Sequence, residues 1–215
     1  MMLFYNKIFV TGVFFTLLSL GINSPGNAVD TTAAKLSAAD NKDLRRIEAY
    51  LNNMKTLRAG FLQVSSKGGI ATGKFFMARP GKMRFEYDPP SSILMISDGL
   101  FLIYIDKDLE QVSHLWLKNT PIGFLVEEDI KLSGDVTVTK FSKGSSILRA
   151  TIAKTKDKEQ GSITLIFTES PLQLRKWAVI DAQGLETTVT LNNLESAVKI
   201  DPALFEYKAL FKNSD

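Results

Sequence analysis

The sequence predicts a mainly β protein: one long antiparallel sheet, curled on itself, with very few helices. Three observations carry this. From Arg58 onward the apolar residues recur with a period of two, the signature of half-buried strands. Turn chemistry (Gly, Pro, Asp and Asn clusters) divides that stretch into about eleven strand-sized pieces. The connections between pieces are too short for the crossovers that parallel strands require. A sheet of that many strands curls, and its concave face must be filled by something apolar.

The first 28 residues stand apart from the fold. Lys7 precedes an apolar core, Ile8 to Leu20, followed by Pro25 and the small-residue ending Gly26-Asn27-Ala28. This pattern predicts a secretory signal peptide cleaved after Ala28; the core falls short of the roughly 20 residues of a membrane span. The remainder, 29–215, is about 187 residues, one domain with enough chain to bury a sizeable core. There is no cysteine, which excludes a disulfide framework. It also excludes a lipid anchor, because a bacterial lipoprotein carries its lipid on an N-terminal cysteine. The expectation is an exported, soluble protein. The formal charge is +3, from 26 basic and 23 acidic residues interspersed along the chain, without the basic stripe of a nucleic-acid binder.

Val29 to Leu36 is small and polar. Asp40 is the expected cap of a helix whose apolar face is Leu44, Ile47, Leu51 and Met54, at i, i+3, i+7 and i+10. The strands expected after it are Arg58–Ser66, Lys74–Arg79, Lys82–Tyr87, Ser92–Ser97, Leu100–Asp106, Glu110–Leu117, Val136–Phe141, Ile147–Ala153, Ile163–Thr168, Leu174–Asp181 and Glu186–Asn192. The intervening turns include KGGIATG, RPGK, DPPS, SDG, SKGS, KTKDKEQGS and DAQG. One interruption, KNTPIGFLVEED (Lys118 to Asp129), has Thr120-Pro121 before a short apolar run and predicts a brief helix at Ile122 to Val126. Asp201-Pro202 predicts a last single turn.

Motifs for chemistry are sparse. GGIATGKF matches the spacing of a phosphate-binding loop, but Phe75 stands where Ser or Thr would hold magnesium, and a strand follows in place of a helix. The only histidine, His114, reads as structural. Asp88 and Asp98 precede turns and are expected to cap backbone groups. Metal-ligand spacing is absent, and no catalytic group or cofactor site is expected. KTKDKEQ is a solvated hairpin tip, and Trp116 and Trp177 are expected to pack on the sheet, with cavity lining as the alternative. One hairpin is unusual in composition: Phe75, Met77, Met83, Phe85 and Met95 combine aromatics with thioethers, a surface able to adapt to ligands of variable shape, with ordinary core as the alternative. Arg79 ends its apolar row, on the same strand face as Phe75 and Met77.

The string GKFFMARPGKMRFEYDPP (Gly73 to Pro90), followed by ILMISDG (Ile93 to Gly99) and Tyr104, resembles the outer-membrane lipoprotein carrier family, LolA. Phe61-Leu62-Gln63, Asp108 to Val112 and Asn119 to Pro121 support the resemblance in order and spacing, which is close over about Leu57 to Val126. It implies an incomplete, half-open antiparallel β-barrel with a short α-helical lid, located in the periplasm, with an apolar cavity for lipoprotein acyl chains lined by Phe75, Met77, Met83, Phe85 and Met95. The lid residues would be Leu44, Ile47, Leu51, Met54, Ile122 and Leu125. Arg79 matches a family arginine that points inward and hydrogen-bonds lid carbonyls when the cavity is empty, a latch. The implied partners are lipoproteins, an inner-membrane ABC-type release complex, and in many members an outer-membrane receptor that is itself a lipoprotein; the carrier is expected to act as a monomer. The chain departs from the family in stopping soon after LFEYKALFKNSD. Two other readings compete with the carrier: a periplasmic carrier or sensor of another lipid on the same fold, and an integral outer-membrane barrel. The second would show lipid-facing apolar positions on nearly every strand.

Overall fold

The computed structural model describes residues 32–207; the expected signal peptide and cleavage site lie outside them. Helix α1 (Ala38–Asn53) is capped by Ser37 and not by Asp40: the Ser37 side chain accepts from the Asp40 amide, and the Asp40 carboxylate accepts from the Ser37 amide. Asp40 is therefore the fourth residue of a reciprocal capping box, and in sequence a capping aspartate and a first-turn acid at N3 look alike. Leu44, Ile47 and Leu51 are buried along one side, and Met54 ends the helix.

All eleven expected strands form: β1 (Thr56–Ser65), β2 (Ile70–Ala78), β3 (Lys82–Tyr87), β4 (Ile93–Asp98), β5 (Phe101–Asp106), β6 (Gln111–Trp116), β7 (Val136–Gly144), β8 (Ile147–Lys154), β9 (Ser162–Glu169), β10 (Leu172–Ile180) and β11 (Glu186–Ser196). The first hairpin loop is shorter than KGGIATG suggests, because β2 already starts at Ile70. The strands make one antiparallel sheet in the order β6-β5-β4-β3-β2-β1-β11-β10-β9-β8-β7. Two meanders are thus joined where the first strand pairs with the last, Phe61 opposite Leu191. The sheet is not closed: its free edges are β6 and β7, neighbours in the chain.

The segment between those edges carries short 3-10 helices at Leu117–Asn119 and Pro121–Val126, the latter capped by the Thr120 side chain accepting from the Gly123 amide. Period-two alternation sends Phe61, Phe75, Met77, Met83, Phe85, Phe167 and Trp177 to the concave side, into one cluster with α1 and the 3-10 segment. Two glycines permit close approaches. A Cβ on Gly73 would lie 2.0 Å from the Glu86 carbonyl oxygen and 2.8 Å from the Phe61 ring, so β2, β3 and Phe61 meet only over a bare backbone. Gly81 turns β2 into β3 at φ 75°, with the Gly99 Cα where its Cβ would be.

The convex side of β4 and β5 holds a second, smaller apolar group, Leu94, Ile96, Ile103 and Ile105. A 3-10 turn, Pro202–Phe205, lies against β3 and β4, with Asp201 accepting from the Ala203 amide and Arg84 donating to the Leu204 carbonyl at 2.9 Å. Asp98 caps its turn as expected, accepting from the Leu100 and Phe101 amides. The Asp88 carboxylate does not cap its own turn; it accepts from the Thr72 hydroxyl on the neighbouring strand, 2.8 Å away. The two tryptophans separate: Trp177 is core, while Trp116, at the end of an edge strand, is 48% exposed and leans on Phe101.

Candidate functional site

The five residues singled out on the hairpin come together on the concave face. Phe75 pairs across strands with Phe85, and Met77 with Met83. Phe85 in turn lies opposite Met95 on β4. Phe75, Met77, Met83 and Phe85 are buried, and Met95 is half-buried at the edge of the same cluster, its sulfur 3.6 Å from the Tyr87 hydroxyl. Tyr87 also donates to Gln63 Oε1 at 2.8 Å, and burial raises its pKa.

Two further residues complete this surface. Trp177, on β10, has its ring 5.4 Å from Phe75 and 6.4 Å from Phe85, and Phe61 lies edge-on to Phe85 at 5.5 Å. The sequence marks Trp177 as a sheet-packing residue with cavity lining as the alternative, and does not place it beside this row. Its neighbours are about a hundred positions away in the chain, and only the curl of the sheet across β1 and β11 unites them. The available signal was its place in an alternating strand.

The residues expected to form a lid join this cluster. Leu44, Ile47, Leu51, Met54 and Leu125 are buried in the same cluster, with Ile122 partly buried against it. A cleft of ≈ 20 Å³ runs between Pro121, Phe124, Ile152 and Ile163, room for about one water. Phe75, Met77, Met83 and Phe85 are covered by this cluster, so a ligand that reaches them must displace part of it.

Polar contacts fasten the carboxyl end of α1 to the stretch that follows the 3-10 helices. The Asn52 amide side chain bonds the Ile130 backbone in both senses, at 2.8 and 2.9 Å, and Glu48 accepts from the Leu132 amide at 2.9 Å. These bonds make α1 and the stretch that follows the 3-10 helices one piece. Gly81 N–H donates to the Val126 carbonyl at 2.7 Å, tying the β2–β3 turn to that piece.

Arg79 reaches the same place. Its Nη2 lies 3.4 Å from the Asn52 carbonyl oxygen and 3.3 Å from Asn52 Oδ1. Its Nε and Nη1 are buried with no hydrogen-bond partner. Burial lowers the Arg79 pKa, opposed by the carboxylates of Asp129 and Glu127. Glu127 in turn is raised by burial, and Asp135 adds to this, while Lys154 and Arg79 pull it down. A guanidinium stays charged in such a setting, so this one is a charged fork half engaged with a helix end.

This surface can shelter apolar groups and offers donors at one rim. Among the described residues no group of His, Cys, Asp and Glu is placed to hold a metal ion. His114 stands on the convex side between Phe101 and Tyr207. No helix among the described residues is long and apolar enough to cross a membrane.

The model of the family described as outer membrane lipoprotein carrier protein LolA matches residues 52–208. An outer-membrane lipoprotein carrier protein of Pseudomonas syringae pv. syringae is 30% identical over 179 residues, 79% of this chain and 86% of that protein. An uncharacterized protein of Rickettsia prowazekii is 26% identical over 177 residues, 82% of each chain. Among solved structures, an outer membrane lipoprotein-sorting protein domain from Vibrio parahaemolyticus superposes with a TM-score of 0.47 at 9% identity, over 76% of this chain and 94% of that one. The chain belongs to the LolA family of outer-membrane lipoprotein carrier proteins.

Proposed function

We propose that this protein is a periplasmic carrier, exported by residues 1–28, that shelters lipoprotein acyl chains between the concave sheet and the lid. It accepts lipoproteins from an inner-membrane ABC-type release complex and delivers them to the outer membrane, acting as a monomer. Phe75, Met77, Met83, Phe85 and Met95 line the cavity, with Trp177 and Phe61; Leu44, Ile47, Leu51, Met54, Ile122 and Leu125 form the lid; Arg79 is its latch.

One observation carries the reading: in a member of this family, the adaptable apolar face is buried in one cluster with the amphipathic helix α1 and the short 3-10 segment, apolar cover that an apolar ligand can replace like for like. Magnitudes support it. Burying Leu44, Ile47, Leu51 and Met54 is worth about 6 to 12 kcal/mol, at roughly 1.5 to 3 each. An acyl chain of about sixteen carbons costs roughly 13 kcal/mol to leave in water, at about 0.8 per methylene. Exchanging helix for chain is therefore near balance, as a carrier that must both load and release requires. The half-engaged Arg79, with two weak contacts and two unmade donors, closes the lid without locking it and leaves that balance nearly intact.

The test is to purify the protein from a Gram-negative periplasm, identify what co-purifies by native mass spectrometry, and incubate the stripped protein with energised inner-membrane vesicles holding labelled lipoprotein. A soluble one-to-one complex with lipoprotein is expected. Phospholipid or free fatty acid as the only bound species, with no lipoprotein released, would favour the carrier or sensor of another lipid.

A further inference from the structure

Helix α1 is held at both ends, and the two ends differ in kind. At its carboxyl end α1 runs into β1 after two residues, Met54 and Lys55, so that end is tethered by the chain itself. The amino end is not joined directly to a strand. At 16 residues the helix spans about 24 Å, so a small rotation about Met54 and Lys55 carries the amino end furthest from the sheet. Whatever fixes that end controls the swing.

A four-residue ionic cluster fixes it. Asp43 is 7% exposed, and each carboxylate oxygen is occupied: Oδ1 accepts from Arg46 Nη1 at 2.6 Å, and Oδ2 accepts from Lys143 Nζ at 3.1 Å. Lys143, near the end of β7, also pairs with Glu169 at the end of β9. Arg46 lies 4.0 Å from the Glu169 carboxylate and donates to its carbonyl at 3.4 Å. One turn on, the Tyr50 hydroxyl accepts from the Leu174 amide of β10 at 3.2 Å. The segment before the helix adds a backbone bond, Ala34 N–H to the Val138 carbonyl on β7, at 2.9 Å.

We infer that the Asp43–Arg46–Lys143–Glu169 cluster is a second clasp on the lid, independent of Arg79, that holds the free end of α1 to β7 and β9 and must break for the concave face to open. This rests on the lid reading proposed above. The clasp is built from charges whose outer members reach solvent, Lys143 and Arg46 having side chains 46% and 40% exposed. Ions therefore compete for them, and opening of this end depends on ionic strength. Arg79 sits at the tethered end, where its contacts hold the lid pieces together, so the two devices act on different motions.

The chain has no cysteine, so a single introduced thiol reports opening without background. Ile47→Cys places it under the lid, at a side chain with 0% exposure. Labelling of that thiol by a maleimide is measured in 0.05 and 0.5 M NaCl, with the parent residues, with Asp43→Asn, with Lys143→Met, and with Arg79→Leu. In the parent, labelling should quicken about three- to tenfold at high salt, in line with modest partly exposed ion pairs acting together. Lys143→Met, at a part-exposed site, should label about three- to tenfold faster at low salt and lose most of the salt response. Asp43→Asn should do the same, and Lys143→Met keeps the test decisive if Asp43→Asn does not fold. Arg79→Leu should retain the full salt response. Salt-independent labelling in the parent, or parent-like labelling in Lys143→Met, would overturn the clasp. Uptake of a fluorescent acyl probe, followed in parallel, reports separately on whether the protein carries acyl chains at all.

Discussion

Replacing Arg79 by leucine should leave the protein folded and slow its release of cargo. In the closed form the guanidinium makes two contacts through Nη2, at 3.3 and 3.4 Å, both beyond the range of about 2.7 to 3.2 Å for good N–H···O bonds. Nε and Nη1 make none. A well-formed hydrogen bond to a charged group contributes about 1.5 to 3 kcal/mol, and a buried donor left unmade costs about 1 to 3. Two weak bonds set against two unmade donors leave the net contribution to the closed fold near zero. The melting temperature of Arg79→Leu should then lie within about 4 °C of the parent, at roughly 2 to 4 °C per kcal/mol for a chain of this size. On the proposed carrier reading the side chain would meet hydrocarbon in the loaded form, where a leucine would gain about 1.5 to 3 kcal/mol of apolar contact. That is about a ten- to hundredfold slower release. The assay is transfer of a fluorescent acyl probe from loaded protein to acceptor vesicles, alongside calorimetry. Loading at the parent rate with release about ten- to a hundredfold slower is expected, and Arg79→Lys should fall between, since ammonium keeps the charge and loses the planar fork. If both variants load and release like the parent, Arg79 is an ordinary hairpin residue. A fall in melting temperature of more than about 10 °C would make its role structural.

Met83→Glu puts a carboxylate where the parent side chain is 0% exposed, and should both abolish acyl-probe uptake and lower the melting temperature, since an unpaired buried polar group costs several kcal/mol; normal uptake with an intact far-UV CD spectrum would remove Met83 from the site. Trp116→Phe leaves the buried Trp177 as the sole tryptophan, and its emission should shift on binding an acyl probe because its neighbours Phe75 and Phe85 change partners; an unchanged spectrum at saturation would place the ligand elsewhere. Burial raises the pKa of Asp43, but hydrogen bonds from Lys143 and Arg46 outweigh it and hold the group below its ordinary 3.8. Its stabilising contribution is therefore full above about pH 4 and is lost as pH falls further, so Asp43→Asn should flatten the acid limb of the stability curve only below about pH 4; a changed slope at pH 5 to 7 would contradict this. Amino-terminal sequencing of periplasmic protein should begin at Val29, and a membrane-bound product retaining Ile8 to Leu20 would overturn both export and the carrier reading.

Local signals carry far in this chain because they are local in physics as well. Side-chain alternation, turn residues and strand length each depend on a few consecutive residues, so eleven strands, one amphipathic helix and two short helical turns were legible before any contact was known. Resolution failed at one-residue scales. Ser37 and Asp40 are both good caps, and only the geometry of the first turn assigns them as partners in a capping box. Trp116 and Trp177 look alike on alternating strands, yet one ends an edge strand and is half-exposed while the other sits at the centre of the concave face.

By itself the sequence determined the class of the fold, the row Phe75, Met77, Met83, Phe85, Met95 with Arg79 at its end, and the greasy face of α1, because each is a periodicity within one element. The tertiary structure alone decided where the sheet opens, between β6 and β7, because that depends on β1 pairing with β11, at the far end of the chain. It alone brought Trp177 and Phe61 to the row, left two donors of Arg79 unmade, and joined Asp43 to Lys143 and Glu169. These contacts join residues distant in the chain, and no local pattern encodes them: they exist only once a curled sheet brings its two halves against one helix.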